Sequence, residues 1–269
     1  MKTVIITGAT SGIGEATALV FLHNSWNVIA VGRNEDKLEI LSQKGIETYR
    51  MDITSEREVD GFVGYLVNSG KEVDVLVNNA GYGQFGTIEE TSIEKARMQF
   101  ETNVFGLASV TQKIIPLMRK NNGGRIINIS SVAGITSMPG GGWYSASKFA
   151  VEAVSDALRW ELKKFGIKVV IIEPGPIKTG FATAVGQNVV LGSDGPYGDL
   201  VKNLTTESTK SIKGGTVAGC AELIYKVSVK KVTKNRYIYT STGKFIKFLL
   251  TVLPAKLIDR VVVRLFLRN

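Results

Sequence analysis

A chain of 269 residues, 44% apolar and 21% charged, is long enough to bury one substantial α/β core. One cysteine, Cys220, excludes an internal disulfide, and one histidine, His23, excludes a histidine-rich metal site and most Ser-His-Asp hydrolase chemistry. Any reaction must therefore use Ser, Tyr, Lys, Asn or carboxylates. The formal charge of +9 is uneven: residues 201–269 hold 14 Lys or Arg against 3 Asp or Glu, a surplus of 11, which leaves −2 for residues 1–200. No interleaved aromatics or nucleic-acid motif accompany that basic quarter, so nucleic acid is not the expected partner. The apolar run after Met1 is too short for a signal peptide, and a cytoplasmic location is expected.

In chain order, an apolar run at residues 4–6 predicts a first strand. Thr7-Gly8-Ala9-Thr10-Ser11-Gly12-Ile13-Gly14 then predicts a glycine-rich turn into a helix from Gly12. Such a turn lets backbone approach a pyrophosphate, whose charge sits at the positive helix end. Residues 28–31 form the second strand, ending in Gly32-Arg33-Asn34 before a helix from Glu35. A dinucleotide site that prefers NAD places an acid near this point to hold the ribose 2′-hydroxyl. Gly32 cannot do that, whereas Arg33, reinforced by Lys37, offers charge for a 2′-phosphate, so NADPH is expected over NADH. A third strand at 48–51 leads to Asp52-Ile53, where Asp52 is placed to accept from an adenine amino group or to cap the helix from Ser55. A fourth strand at 73–77 closes in Asn78-Asn79-Ala80-Gly81.

Residues 93–120 predict one long helix in which Asn103 is an amide in apolar company that needs a partner, either a water relaying protons to Lys148 or a helix–helix hydrogen bond. A strand at 126–129 ends at Ser130 and Ser131, and at the carboxyl end of a parallel strand either hydroxyl could meet a substrate oxygen, Ser131 being preferred. The next helix, 144–165, opens with Tyr144-Ser145-Ala146-Ser147-Lys148, so the phenol and the amine lie one turn apart on one face. A neighbouring ammonium lowers a phenol pKa by roughly 1–3 units, which would take Tyr144 toward the neutral range. A strand at 169–172 ends in Pro174-Gly175-Pro176. Residues 182–215 lack periodicity and read as a substrate lid. The strands are continuous apolar runs alternating with helices, which predicts a doubly wound parallel sheet in one Rossmann-like α/β domain, 1–240, with a C-terminal extension at 241–269.

Together these residues resemble the short-chain dehydrogenase/reductase family, in the compact subgroup with the T-G-x-x-x-G-x-G turn. The match runs from residue 3 to 181 through Thr7 to Gly14, Asn78 to Gly81, Asn103, Ser131, Tyr144-x-x-x-Lys148 and Pro174-Gly175-Pro176-Ile177-Lys178-Thr179. The resemblance implies that Tyr144 is the general acid/base, Lys148 binds the nicotinamide ribose and depresses the tyrosine pKa, Ser131 orients the substrate, and Asn103 anchors a relay water. It also implies that Ile177 and Thr179 meet the carboxamide. The branch is similar to hydroxysteroid and retinol dehydrogenases and acyl-dihydroxyacetone-phosphate reductases. Tyr82, Phe85, Met138, Trp143 and Phe181 are bulky and apolar and are expected on the substrate side. The expected activity is NADPH-dependent carbonyl reduction. The rivals are NAD-linked alcohol oxidation and a non-catalytic cofactor sensor.

From Lys244 onward the tail mixes apolar runs with six basic residues against one acid. It is too interrupted to span a bilayer. Folding back over the cleft, packing on a partner subunit and peripheral membrane contact are its three readings. A homodimer or homotetramer is expected from the resemblance.

Overall fold

A computed structural model describes residues 1–177, 189–190, 195–198, 200 and 214–267. Its first half is a regular alternation: β1 (Thr3–Thr7), α1 (Gly12–His23), β2 (Asn27–Gly32), α2 (Glu35–Ser42), β3 (Glu47–Arg50), α3 (Glu56–Asn68) and β4 (Val75–Asn78). Side-chain caps start two of these helices, Asn34 Oδ1 accepting from Lys37 N at 2.9 Å and Ser55 Oγ from Glu58 N at 3.4 Å. Ser55 rather than Asp52 therefore caps α3. The expected cap at Asp52 is corrected: its Oδ1 accepts from the backbone N and hydroxyl of Thr54, at 3.0 and 2.8 Å.

The second half adds β5 (Phe85–Gly86), α4 (Ile93–Phe100), a π turn (Glu101–Gly106), α5 (Leu107–Lys120), β6 (Gly124–Ile129), a 3₁₀ turn (Val132–Gly134) and α6 (Gly142–Glu161). It continues through β7 (Ile167–Glu173), β8 (Val189–Val190), α7 (Val217–Val229), β9 (Arg236–Ile238), α8 (Ser241–Val252) and α9 (Ala255–Phe266). The single helix expected over 93–120 is thus broken by the wider π turn that carries Asn103. Such turns recur where a helix must serve a functional site.

Seven parallel strands form the main sheet in the order β3-β2-β1-β4-β6-β7-β9. Alternate residues feed opposite layers. Val4 and Ile6 join Phe21, Trp26 and Ile224 on one face, while Ile5 joins Phe62, Ile114 and Met118 on the other. Burial of each such side chain contributes roughly 1.5–3 kcal/mol. Cys220 belongs to the first layer, where burial pushes its thiol up to about 12, so it is an inert core residue. Arg125, on β6, donates to the carbonyls of Val227, Ser228 and Lys230 and so closes the C-terminal end of α7. Strand order reverses between β1 and β4, where Val4 pairs Val75 and Ile6 pairs Val77. The crevice beyond their carboxyl ends is the ligand position in sheets of this kind.

Candidate active site

The glycine turn after β1 and the turn after β4 are bolted together. Thr7 Oγ1 accepts from the backbone N of Asn79 and of Ala80, each at 3.1 Å, and Asn79 Nδ2 donates to the carbonyls of Thr7 and Gly8, both at 3.1 Å. Ala9 N bonds Val31 O at 3.1 Å, joining β2 to the same corner. Thr10 packs on Gly32, and Gly14 lies under Asn79.

The corner fits a dinucleotide phosphate. Gly12 has φ +55°, and a Cβ there would meet nothing within 4 Å, so the start of α1 opens on free space. Ser11, the N-cap of α1, makes no side-chain capping bond, which leaves the positive helix end available. Arg33 reaches Asp52 at 3.4 Å and is otherwise exposed. Asn34 is engaged in capping α2, Lys37 is exposed, and Ile53 is buried against the π turn at Gly106.

The reacting end lies at the start of α6. Ser131 hydrogen-bonds the Tyr144 phenol, while Ser130 is buried beside Glu152, so Ser131 is the serine that faces the phenol. Ser131 Oγ also accepts from Ala133 N at 3.1 Å and donates to Pro174 O at 3.4 Å. Lys148 is buried and donates from Nζ to Ile129 O at 2.9 Å, with Nζ 5.9 Å from the Tyr144 ring centroid. Burial pushes the lysine down to about 8, against the opposing pull of Glu152. Tyr144 departs from expectation. Burial drives its phenol up to about 12, with only the Ser131 hydrogen bond pulling it down. Desolvating a phenolate outweighs an ammonium that bonds elsewhere.

Asn103 is spent on structure. Its Oδ1 accepts from Tyr82 N at 3.0 Å, and its Nδ2 donates to Tyr82 O at 2.9 Å and Ser147 Oγ at 3.0 Å. Both amide donors are used: the bond to Ser147 is the helix–helix hydrogen bond that stood as the alternative to holding a water, and the side chain pins the turn after β4 to α6. Gly81 passes directly over it: a Cβ there would stand 2.9 Å from Oδ1 and 3.7 Å from Lys148 Nζ.

Phe85 packs against Tyr144 with ring centroids 5.4 Å apart, and Met138 flanks Gly141 beside Phe85. Trp143 is not with them. It lines a separate groove with Ile93, Arg97, Phe100 and Phe105, because neighbours on a helix diverge by about 100°. The Tyr82 phenol, raised by burial, is within electrostatic range of Arg33 and so sits toward the cofactor corner. Thr179, Phe181 and most of the expected lid, 182–215, lie outside the described residues. Within that segment β8 pairs in parallel with β5, and Tyr197 donates to Glu89 Oε2 at 2.5 Å, so these two pieces touch the strip after Gln84. Pro174 O accepts from Val132 N at 2.9 Å, Gly175 is tight against Thr240, and Ile177 pairs with Gly215.

The roles of several groups in this region escaped the sequence reading. Asn78 Nδ2 donates to Thr111 and Asn128, and Asn128 donates to Ser155, each at 2.8 Å, tying β4, α5, β6 and α6 into one buried network. Two asparagines inside apolar strands were the available signal. Behind Lys148, Arg236 meets Glu152 at 2.8 Å, Asp156 at 2.6 Å and Glu173 at 3.5 Å. No metal-binding cluster of His, Cys, Asp or Glu occurs among the described residues.

Comparison with known proteins agrees with this architecture. The family profile described as short chain dehydrogenase matches residues 2–189. An uncharacterized oxidoreductase of Bacillus subtilis, YusZ, is 38% identical over 261 residues, covering 93% of this chain and 91% of that one. An NADPH-dependent 3-dehydrocapnine reductase of Ornithobacterium rhinotracheale is 35% identical, covering 97% and 96%. A 3-ketodihydrosphingosine reductase of Bacteroides thetaiotaomicron is 34% identical, covering 92% and 90%. The crystal structure of a short-chain dehydrogenase from Streptomyces avermitilis superposes with a TM-score of 0.82 at 31% identity, over 96% of this chain and 95% of that one.

Proposed function

The chain belongs to the short-chain dehydrogenase family of oxidoreductases, and we propose that within it the protein is an NADPH-dependent reductase of a lipophilic carbonyl compound. One arrangement carries this reading: the Tyr144 phenol hydrogen-bonds Ser131, with Lys148 Nζ 5.9 Å from its ring centroid and the Phe85 ring packed on it at 5.4 Å. Burial raises the phenol, so Tyr144 holds the proton that reduction of a carbonyl needs.

In this reading Ser131 and Tyr144 both donate to the substrate oxygen, fixing the carbonyl between them. Tyr144 gives up its proton as negative charge develops on that oxygen. Lys148, held by Ile129 O at 2.9 Å and still largely charged at pH 7, stabilises the phenolate that remains. A bound nicotinamide supplies the hydride. Gly12, Ser11 and the start of α1 would hold its pyrophosphate, and Arg33 its 2′-phosphate. The preference for NADPH and for a lipid-like ketone is supported by the relatives named for 3-dehydrocapnine and 3-ketodihydrosphingosine reduction. Phe85 and Met138 beside the phenol supply an apolar wall of the matching kind.

The test is Tyr144→Phe, assayed with NADPH against short-chain and long-chain ketones. Turnover should fall by about 10²–10⁴-fold, while NADPH affinity, read by fluorescence titration, stays within a few-fold. Undiminished turnover by the variant would refute the assignment.

A further inference from the structure

The last two helices present an apolar surface that the body of the protein leaves open. On α8, Phe245 and Phe248 are each 60% exposed, and with Val252 they follow the i, i+3, i+7 spacing of one helix face. The half-buried Ile246 and Leu250 occupy the other side. On α9, Leu257 and Val261 are 41% and 45% exposed and four residues apart.

Basic side chains border both stripes. Lys256, Arg260 and Arg264 recur every four residues, forming a row beside Leu257 and Val261, and Lys244 and Lys247 flank Phe248. Asp259 is the one acid among them, within a quarter of the chain whose charge surplus is 11. An apolar stripe edged by cations is the pattern of a helix lying in the headgroup layer of an anionic bilayer. A second copy fits this surface less well, because the same stretch offers the flanking cations one acidic partner, Asp259. No helix among the described residues is long and apolar enough to cross a membrane, so the contact would be peripheral.

Helix α8 starts beside the reacting groups. Thr240 caps α8 by accepting from Gly243 N at 3.1 Å and lies tight against Gly175, while a Cβ on Gly243 would stand 2.6 Å from Val132, the neighbour of Ser131. A surface seated on α8 therefore adjoins the rim of the substrate cleft.

We propose that α8 and α9 dock this protein on an anionic lipid surface, through Phe245, Phe248, Leu257 and Val261 inserted among headgroups bound by Lys256, Arg260 and Arg264. Docking is independent of the carbonyl-reductase reading, because sedimentation reports it whether or not the protein turns over.

The experiment is co-sedimentation of the full chain with vesicles of phosphatidylcholine alone and of phosphatidylcholine mixed with phosphatidylglycerol. Binding is expected only to the mixed vesicles, and should weaken as salt is raised. A triple variant, Lys256→Gln, Arg260→Gln and Arg264→Gln, should bind about 100-fold more weakly, at roughly fivefold per charge. The double variant Phe245→Ser, Phe248→Ser should also lose binding while its melting temperature holds, since both rings are exposed. Equal binding to neutral vesicles, or none to either kind, would overturn the proposal. So would an unchanged affinity in the phenylalanine variant together with a smaller species on gel filtration, which would assign the face to a second copy.

Discussion

Asn103 and Ser147 stand 44 residues apart in sequence and 3.0 Å apart in space, the Nδ2 of one donating to the Oγ of the other. Ser147 Oγ in turn donates to Tyr144 O at 2.7 Å, so the π turn is tied to the backbone of the reacting tyrosine. Ser147→Ala leaves a buried amide hydrogen without an acceptor, which costs about 1–3 kcal/mol. The expected result is a lower melting temperature and a reduced kcat with NADPH affinity unchanged. A variant as stable and as active as the parent would show that this link carries no weight.

Arg33 is exposed and its 3.4 Å contact with Asp52 lies at the surface, so it adds little to stability. Its removal should therefore be read in the cofactor. Arg33→Ala is expected to weaken NADPH binding by about 10–100-fold, the loss of one charge-assisted contact of roughly 1.5–3 kcal/mol, while NADH binding stays within about twofold. Titrating both cofactors into both proteins checks it; an equal loss for the two would remove the role in 2′-phosphate selection.

Gly81→Ala would place a methyl 2.9 Å from Asn103 Oδ1, tighter than ordinary contact. Asn103 cannot yield without releasing Tyr82 and Ser147. The variant should lose about 1–3 kcal/mol of stability and most of its turnover. Thermal melts and initial rates with NADPH report the two effects separately.

Glu173 is fully buried at the end of β7, and burial followed by the charge of Glu152 pushes its carboxyl from 4.5 up to about 7. Lys247 and Arg236 pull the other way without prevailing. The folded value exceeds the unfolded one, so between pH 4.5 and 7 the folded chain keeps a proton that the unfolded chain has released. Its stabilising contribution is complete below that window and lost as pH rises through it. Glu173→Gln should flatten the pH dependence of the melting temperature between pH 5 and 8, and raise stability at pH 8 by up to about 3 kcal/mol. Parallel pH profiles for variant and parent would contradict this.

The alternation of strands and helices, the glycine turn, Arg33 after β2 and the Tyr144 and Lys148 spacing were all legible in the sequence, because each depends on neighbours within one or two turns of chain. Periodicity and turn chemistry are local, and the fold class follows from them. Only the tertiary structure could show that Trp143 leaves the substrate side, that Asn103 spends its amide on Tyr82 and Ser147, and that Arg236 meets three carboxylates behind Lys148. It also reversed the expected shift of Tyr144, since a pKa is set by how much water is removed and by partners brought from distant segments. Spacing along the chain brings a phenol and an amine to one face; the enclosing protein decides whether that phenol holds its proton.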